Sequence, residues 1–395
     1  MQDVEAVVEE LADHDEAGLV VAACWYDVSD DRPNYLMSQF DVQNFLWLTL
    51  PQLIRVPPAD LNPMPDWPAV VDEAAWFFER LDQPRYAAIC RSKQTAQILA
   101  AAEDELESFE LYAEATHESG IMPPPGLRIT WLDEQGPREV AAYDAITRAL
   151  ERAIVAGELD PADDQARLRV ALAVLEQPPD GHTDTLLDLL FAERLAQWRS
   201  SCGSQTMREL LVRIGPDVSK PMDLSPEVLL TGTRPLSEAL HDLDGTAPRR
   251  RVAAKFGLLE TVDGELTRTE DGERALVHPV LMFEAICTGL LDGGDRIARQ
   301  AVAPLLAMLM LSDEVDLDML VDRVGMVLYE TGWRGDAHNE PMPQETVRAT
   351  VTALLDDLHA AGATTRGAKE RLTDFGERVV QAAVRTRALQ GGAVD

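Results

Sequence analysis

Residues 257–276 read GLLETVDGELTRTEDGERAL, and residues 362–380 read GATTRGAKERLTDFGERVV. The two stretches carry the same signals in the same order. In the first, Gly257 follows the helical pattern Pro248–Phe256 (PRRRVAAKF). A short hairpin is then expected around Asp263 and Gly264, and Thr269-Glu-Asp-Gly-Glu-Arg opens another helix. In the second, a helix over Thr346–Ala360 puts Val347, Val351, Leu354, Leu355 and Leu358 on its inner side. Gly362 ends it, a short loop surrounds Gly367, and Thr373-Asp-Phe-Gly-Glu-Arg starts the closing helix. Glycine to threonine takes 12 residues in the first copy and 11 in the second, a difference that a loop can absorb.

Outward from this echo, the chain reads as helix after helix. Ala301–Leu311 (AVAPLLAMLML) is the most apolar run, too short to span a bilayer and expected to be a buried helix. Further upstream, Val70, Val71, Ala74, Phe77, Phe78 and Leu81 recur at helical steps behind Asp66, a candidate cap. Ser92 precedes another helix with Ile98 and Leu99 inside, and the acidic run Glu103–Glu110 is expected to face solvent. The prolines of Met122–Gly126 break the pattern, leaving Leu127–Trp131 as a short strand or extended connection. Helices are expected from Pro137 to Gly157, from Pro161 to Gln177 and from His182 to about Trp198. Gly215–Pro221 then supplies the clearest punctuation.

The expected fold is therefore mainly α. A multi-helix acidic region covers 1–220, with a sub-boundary near 122–136. A first module with a short β-hairpin covers 221–295, and an apolar connecting helix with a second such module covers 296–395.

Helix, glycine, two-stranded wing and Thr-x-x-Gly helix together resemble the winged-helix pattern of many bacterial regulators. The resemblance covers Pro226–Pro279 and Ser312–Leu389. Asn44–Pro51 (NFLWLTLP), Arg85–Ser92 (RYAAICRS) and Glu118–Ile121 also look similar to uncharacterised actinomycete proteins with C-terminal tandem winged-helix-like segments. That group implies no known reaction. In winged-helix regulators the helix before the wing enters the major groove, so its exposed face is where base and phosphate contacts are sought. In the first copy this helix carries Arg249, Arg250, Arg251 and Lys255, the candidate contacts to a protein partner or to nucleic acid. In the second it exposes Arg348 and Thr352 but ends with Asp356 and Asp357.

Charge decides between those partners. The 395 residues hold 35 Lys and Arg against 69 Asp and Glu, a net charge of −34, which opposes phosphate backbones and anionic membranes. Residues 246–276 contain six basic and six acidic side chains, and residues 343–390 seven and six, so both modules are close to neutral on an acidic body. A protein partner is accordingly favoured over DNA, and no membrane association is expected.

Chemistry-bearing patterns are missing from the sequence. The seven histidines form no HExxH or His/Cys ligand pattern, and Asp336, His338 and Glu340 alternate in what reads as a polar loop. GxSxG, GxxxxGK[ST] and GxGxxG are not found, and Ser201-Cys202-Gly203-Ser204 reads as a connection between helices. Hence no catalytic residue, metal or cofactor is expected. Cys24, Cys90, Cys202 and Cys287 are widely spaced, and Met1–Gly18 lacks a basic, then apolar, leader pattern. Reduced thiols in the cytoplasm are the expectation. These signs together describe a non-enzymatic regulatory or scaffold protein that binds another protein, with a DNA-binding regulator as the alternative.

Overall fold

The computed structural model describes residues 4–29, 37–57, 66–132, 135–222, 224–243, 247–335 and 340–392. The chain is mainly helical, and the sheets among the described residues are two antiparallel hairpins. No described helix is long and apolar enough to cross a membrane. Residues 1–127 with 140–186 form one compact unit, and residues 128–139 with 187–395 form another.

The first unit contains α1 (Val4–Ala12), α2 (Glu16–Ser29), α3 (Gln39–Asn44), α4 (Leu50–Arg55), α5 (Trp67–Arg80), α6 (Pro84–Cys90), α7 (Lys93–Ala100) and α8 (Glu105–Ser119). Most of α9 (Pro137–Val155) and all of α10 (Asp164–Leu175) complete it. Its core joins Val8 and Leu11 of α1, Val20 and Trp25 of α2, and the expected stripe Val70, Val71, Ala74, Phe77 and Phe78 of α5. Asp66 precedes α5, but its side chain makes no cap bond; Pro68 in the first turn sets the start instead. Ser92 does cap α7, accepting from the Thr95 amide at 3.1 Å. The acidic run opens a separate helix, α8, capped by Asp104, and Glu105, Glu107 and Glu110 are exposed as expected.

Between α3 and α4 the helix widens into a π-helical turn, Phe45–Thr49, in which the Leu50 amide bonds the Phe45 carbonyl. Pro51 gives the reason. It has no N–H for the Trp47 carbonyl, and its ring would crowd that carbonyl in a regular α-helix. The Trp47 ring, carried on this turn, donates to the Thr95 hydroxyl at 2.7 Å in the core.

In the second unit, α11 (Leu186–Ser201), α12 (Gln205–Val218), α13 (Pro226–His241) and α14 (Ala247–Lys255) lead into the hairpin β1 (Leu259–Val262) and β2 (Glu265–Arg268). Then follow α15 (Glu270–Val277), α16 (Pro279–Asp292), α17 (Arg296–Met310), α18 (Leu317–Glu330) and α19 (Gln344–Ala360). The second hairpin, β3 (Thr364–Thr365) and β4 (Arg371–Leu372), precedes α20 (Asp374–Leu389). The apolar run in α17 is buried from Ala301 to Leu309, as its composition predicts. Residues 128–132 form no strand; the Thr130 amide bonds the Leu389 carbonyl at 3.1 Å.

The break between units falls near Leu186, earlier than the sequence boundary near 220. Gly215 and Pro216 are not an interruption, because α12 continues through them to Val218. Pro216 leaves only the carbonyl of Val212 without an amide donor, and Val212 is exposed to water. Met207, Leu210, Leu211, Ile214 and Val218 place α12 in the core of the second unit.

A buried ion pair also belongs to this unit. Arg194 donates to Glu139 at 2.7 Å and also to the Thr130 carbonyl. Burial pushes the Glu139 carboxyl up and the Arg194 guanidinium down from their ordinary values, while each charge opposes the shift of the other. Removing either partner would strand a buried charge, so the pair fixes how 128–139 lies on α11.

Candidate interaction site

The two echo motifs fold alike, down to single hydrogen bonds. The Thr269 hydroxyl accepts from the Gly272 amide at 3.0 Å and donates to the Gly257 carbonyl at 2.7 Å. The Thr373 hydroxyl accepts from the Gly376 amide and donates to the Gly362 carbonyl, both at 2.9 Å. One side chain thus caps the closing helix and holds the end of the preceding helix against it. Glycine at the fourth motif position is a matter of space. A Cβ on Gly272 would strike the Leu258 carbonyl, and one on Gly376 the Ala363 carbonyl. Gly257 and Gly362, at φ 73° and 81°, close their helices in the left-handed region that other residues enter at a cost.

The hairpins follow from the same local chemistry. In the first, Asp263 and Gly264 have φ of 51° and 85°, the two-residue turn that matches the twist of paired strands. Val262 then faces Glu265, and Leu259 faces Arg268. The second hairpin is shorter, pairing Thr364 with Leu372, and gains a further bridge between Val315 and Glu370.

The helices that precede the two hairpins pack on each other, α14 against α19, and α16 packs against the closing helix of the second copy, α20. This pairing governs the basic cluster. Lys255 is only a quarter exposed and donates to Asp357 of α19 at 2.5 Å. Asp357 itself is 8% exposed, so its carboxylate depends on this cation. Arg249 pairs with Glu238 of α13 at 3.0 Å, and Arg250 donates to the Leu243 carbonyl at 2.6 Å. Arg251 is the exposed member of the set and has no ion-pair or hydrogen-bond partner among the described residues. The four candidates therefore lie on one short helix without forming one open cationic face. On α19, Arg348 is engaged by Asp318 at 2.5 Å and Thr352 is exposed.

A cleft of about 320 Å³ borders Lys255, between the end of α14 and α15–α16. Arg128 and Arg274 line it with Lys255, opposed by Asp271, Glu284 and Asp292, so it has no charge of one sign. Arg128 donates to the Thr288 hydroxyl. Sequence reading missed Arg128 and the role of Asp357. Both come from remote parts of the chain, and an aspartate beside Leu358 on a helix reads as solvent-facing.

Away from this face, Ser204 caps α12 through the Met207 amide at 2.9 Å, and its hydroxyl donates to Glu330. Cys202 is half-buried beside it. The 201–204 stretch thus serves as a helix connection. No disulfide joins the four cysteines, and burial pushes the Cys90 thiol up to about 12. Asp336 and His338 lie outside the described residues; among the described ones no group of three His, Cys, Asp or Glu is arranged to hold a metal ion.

Comparison with protein-family models, with curated proteins and with solved structures finds no match for this chain.

Proposed function

We propose that this protein is a non-enzymatic regulator or scaffold whose tandem winged-helix-like modules act on a protein partner. The observation that carries this reading is how the first module spends its cations. Lys255 neutralises Asp357, Arg249 is matched by Glu238, and Arg250 holds a backbone carbonyl. A helix that reads DNA needs such groups free for phosphates and base edges. The same helix is packed on its counterpart in the second module, where Asp357 holds Lys255. A net charge of −34 weighs in the same direction.

A surface suited to protein contact lies on α18. Met319 and Met326, two turns apart on one helix face, are 49% and 45% exposed. Adaptable methionine side chains are common on protein-binding surfaces. Affinity purification of the full chain from native cells, with both proteins and nucleic acid identified, tests the proposal. A stoichiometric protein partner is expected, lost with Met319→Asp/Met326→Asp and indifferent to nuclease. Duplex DNA bound at 150 mM salt by the purified chain and released by Arg251→Ala would replace this reading with the DNA-binding one.

A further inference from the structure

The first unit contains a cleft of about 1160 Å³, bordered by the ends of α5 and α9 and the start of α6. Residues 1–127 and 140–186 hold 33 acidic but only 10 basic side chains. Four of those ten, Arg80, Arg85, Arg148 and Arg152, line this one cleft, against three carboxylates. Three of the four are already engaged, Arg80 by Glu10, Arg85 by Glu151 and Arg148 by Asp144 at 2.8 Å, which leaves Arg152 as the cation open to a ligand.

The helix α9 presents Arg148, Glu151, Arg152 and Val155 at i, i+3, i+4 and i+7, one side of the helix facing the cleft. Glu151 is already satisfied: it accepts from the Tyr86 hydroxyl at 2.7 Å, the Gln39 amide at 2.9 Å and Arg85 at 3.4 Å. Burial and the Glu151 charge push the Tyr86 phenol up, so it stays a donor. Glu79 is neutralised by Arg91 at 2.5 Å, outside the lining, and Arg80 by Glu10 at 2.9 Å. Asp82 is the third carboxylate, held at φ 56° in the turn after α5. Arg152 is exposed and has no ion-pair or hydrogen-bond partner among the described residues. Beside it the walls are apolar: Val155 is 58% exposed, and Val4, Met37 and Leu81 are partly so.

We infer that this cleft binds a small amphipathic anion, a carboxylate or phosphate on an aromatic or aliphatic body, with Arg152 meeting the head group and Val155, Met37 and Leu81 the body. The pattern is that of a ligand pocket, apolar surface with few placed polar groups, and the cleft has room for such a molecule. A solvated helix face would explain Arg152 alone, but not the gathering of scarce cations around exposed apolar walls.

The test is a fluorescence titration of the full chain with 1-anilinonaphthalene-8-sulfonate and with its uncharged relative N-phenyl-1-naphthylamine. One saturable site per chain is expected for the sulfonate, with the neutral probe weaker by about tenfold, as a lost charge-assisted hydrogen bond implies. Arg152→Gln should weaken the sulfonate by about tenfold at an unchanged melting temperature. Val155→Asp should abolish binding of both probes, and Phe109→Ser, on α8 and outside the cleft, should leave both unchanged. Dodecanoate or dodecyl phosphate should displace the sulfonate where dodecanol does not, the tighter of the two naming the head group. Equal binding of both probes, indifference to Arg152→Gln, sensitivity to Phe109→Ser, or failure of both acids to compete overturns the inference.

Discussion

Lys255, at the end of the helix before the first hairpin, reaches Asp357, near the end of the helix before the second, so one ion pair joins the two copies at equivalent helices. Lys255→Ala leaves a buried carboxylate without its cation and is expected to lower stability by about 2 kcal/mol. Lys255→Ala/Asp357→Asn should recover part of that loss, because the stranded charge is gone. A double-mutant cycle by urea denaturation measures the coupling, and strict additivity would deny the pair any role.

Helical glycines usually gain stability on replacement by alanine, and two in the second unit should respond with opposite signs. At Gly232 in α13 a Cβ would collide with the Phe375 ring, so Gly232→Ala is expected to cost about 1–3 kcal/mol. At Gly325 in α18 the nearest atom is a Val347 methyl at 3.7 Å, an ordinary contact. Gly325→Ala is expected to stabilise by up to about 1 kcal/mol, read as a higher melting temperature.

The paired threonines offer a test of the repeat itself. Thr269→Ala and Thr373→Ala each remove a helix cap and a bond to the preceding glycine carbonyl, at an expected cost of about 1–2 kcal/mol. Serine at either position keeps both bonds and should recover most of the loss in thermal denaturation.

Acid should act through Glu330. Burial pushes its carboxyl up, but hydrogen bonds from the Ser204 hydroxyl and from the amide and hydroxyl of Thr206 outweigh that and hold it below the ordinary value of 4.5. A carboxyl depressed in the folded state stabilises the fold fully above its unfolded value and loses that contribution as pH falls through the lower folded one. Glu330→Gln is therefore expected to be less stable than the parent at pH 7, with the difference shrinking below about pH 4.5. Melting temperatures across pH 7 to 3 check this; a constant difference would count against it.

The local signals were legible, and the long-range ones were not. Asp263-Gly264, Thr269-x-x-Gly and Thr373-x-x-Gly specify backbone geometry within a few residues, so the hairpins and the helix starts after them were readable from spacing, whereas the cap expected at Asp66 does not form. The stripes of α5 and α19 were readable for the same reason. Pro216 misled because a proline in a last turn can be accommodated where the orphaned carbonyl meets water. The candidate face was legible only as a composition. That Arg249, Arg250 and Lys255 answer to Glu238, Leu243 and Asp357 depends on which helix lies alongside, and periodicity in one helix carries no record of its neighbour.

Because α14 and α19 belong to one polypeptide, their association is unimolecular. Two copies on separate chains would part as the protein was diluted, whereas a tethered pair keeps an effective concentration in about the millimolar range for a short linker, whatever the bulk value. The pairing should thus persist from micromolar stocks to nanomolar assays, and the melting midpoint of the second unit should not move with protein concentration.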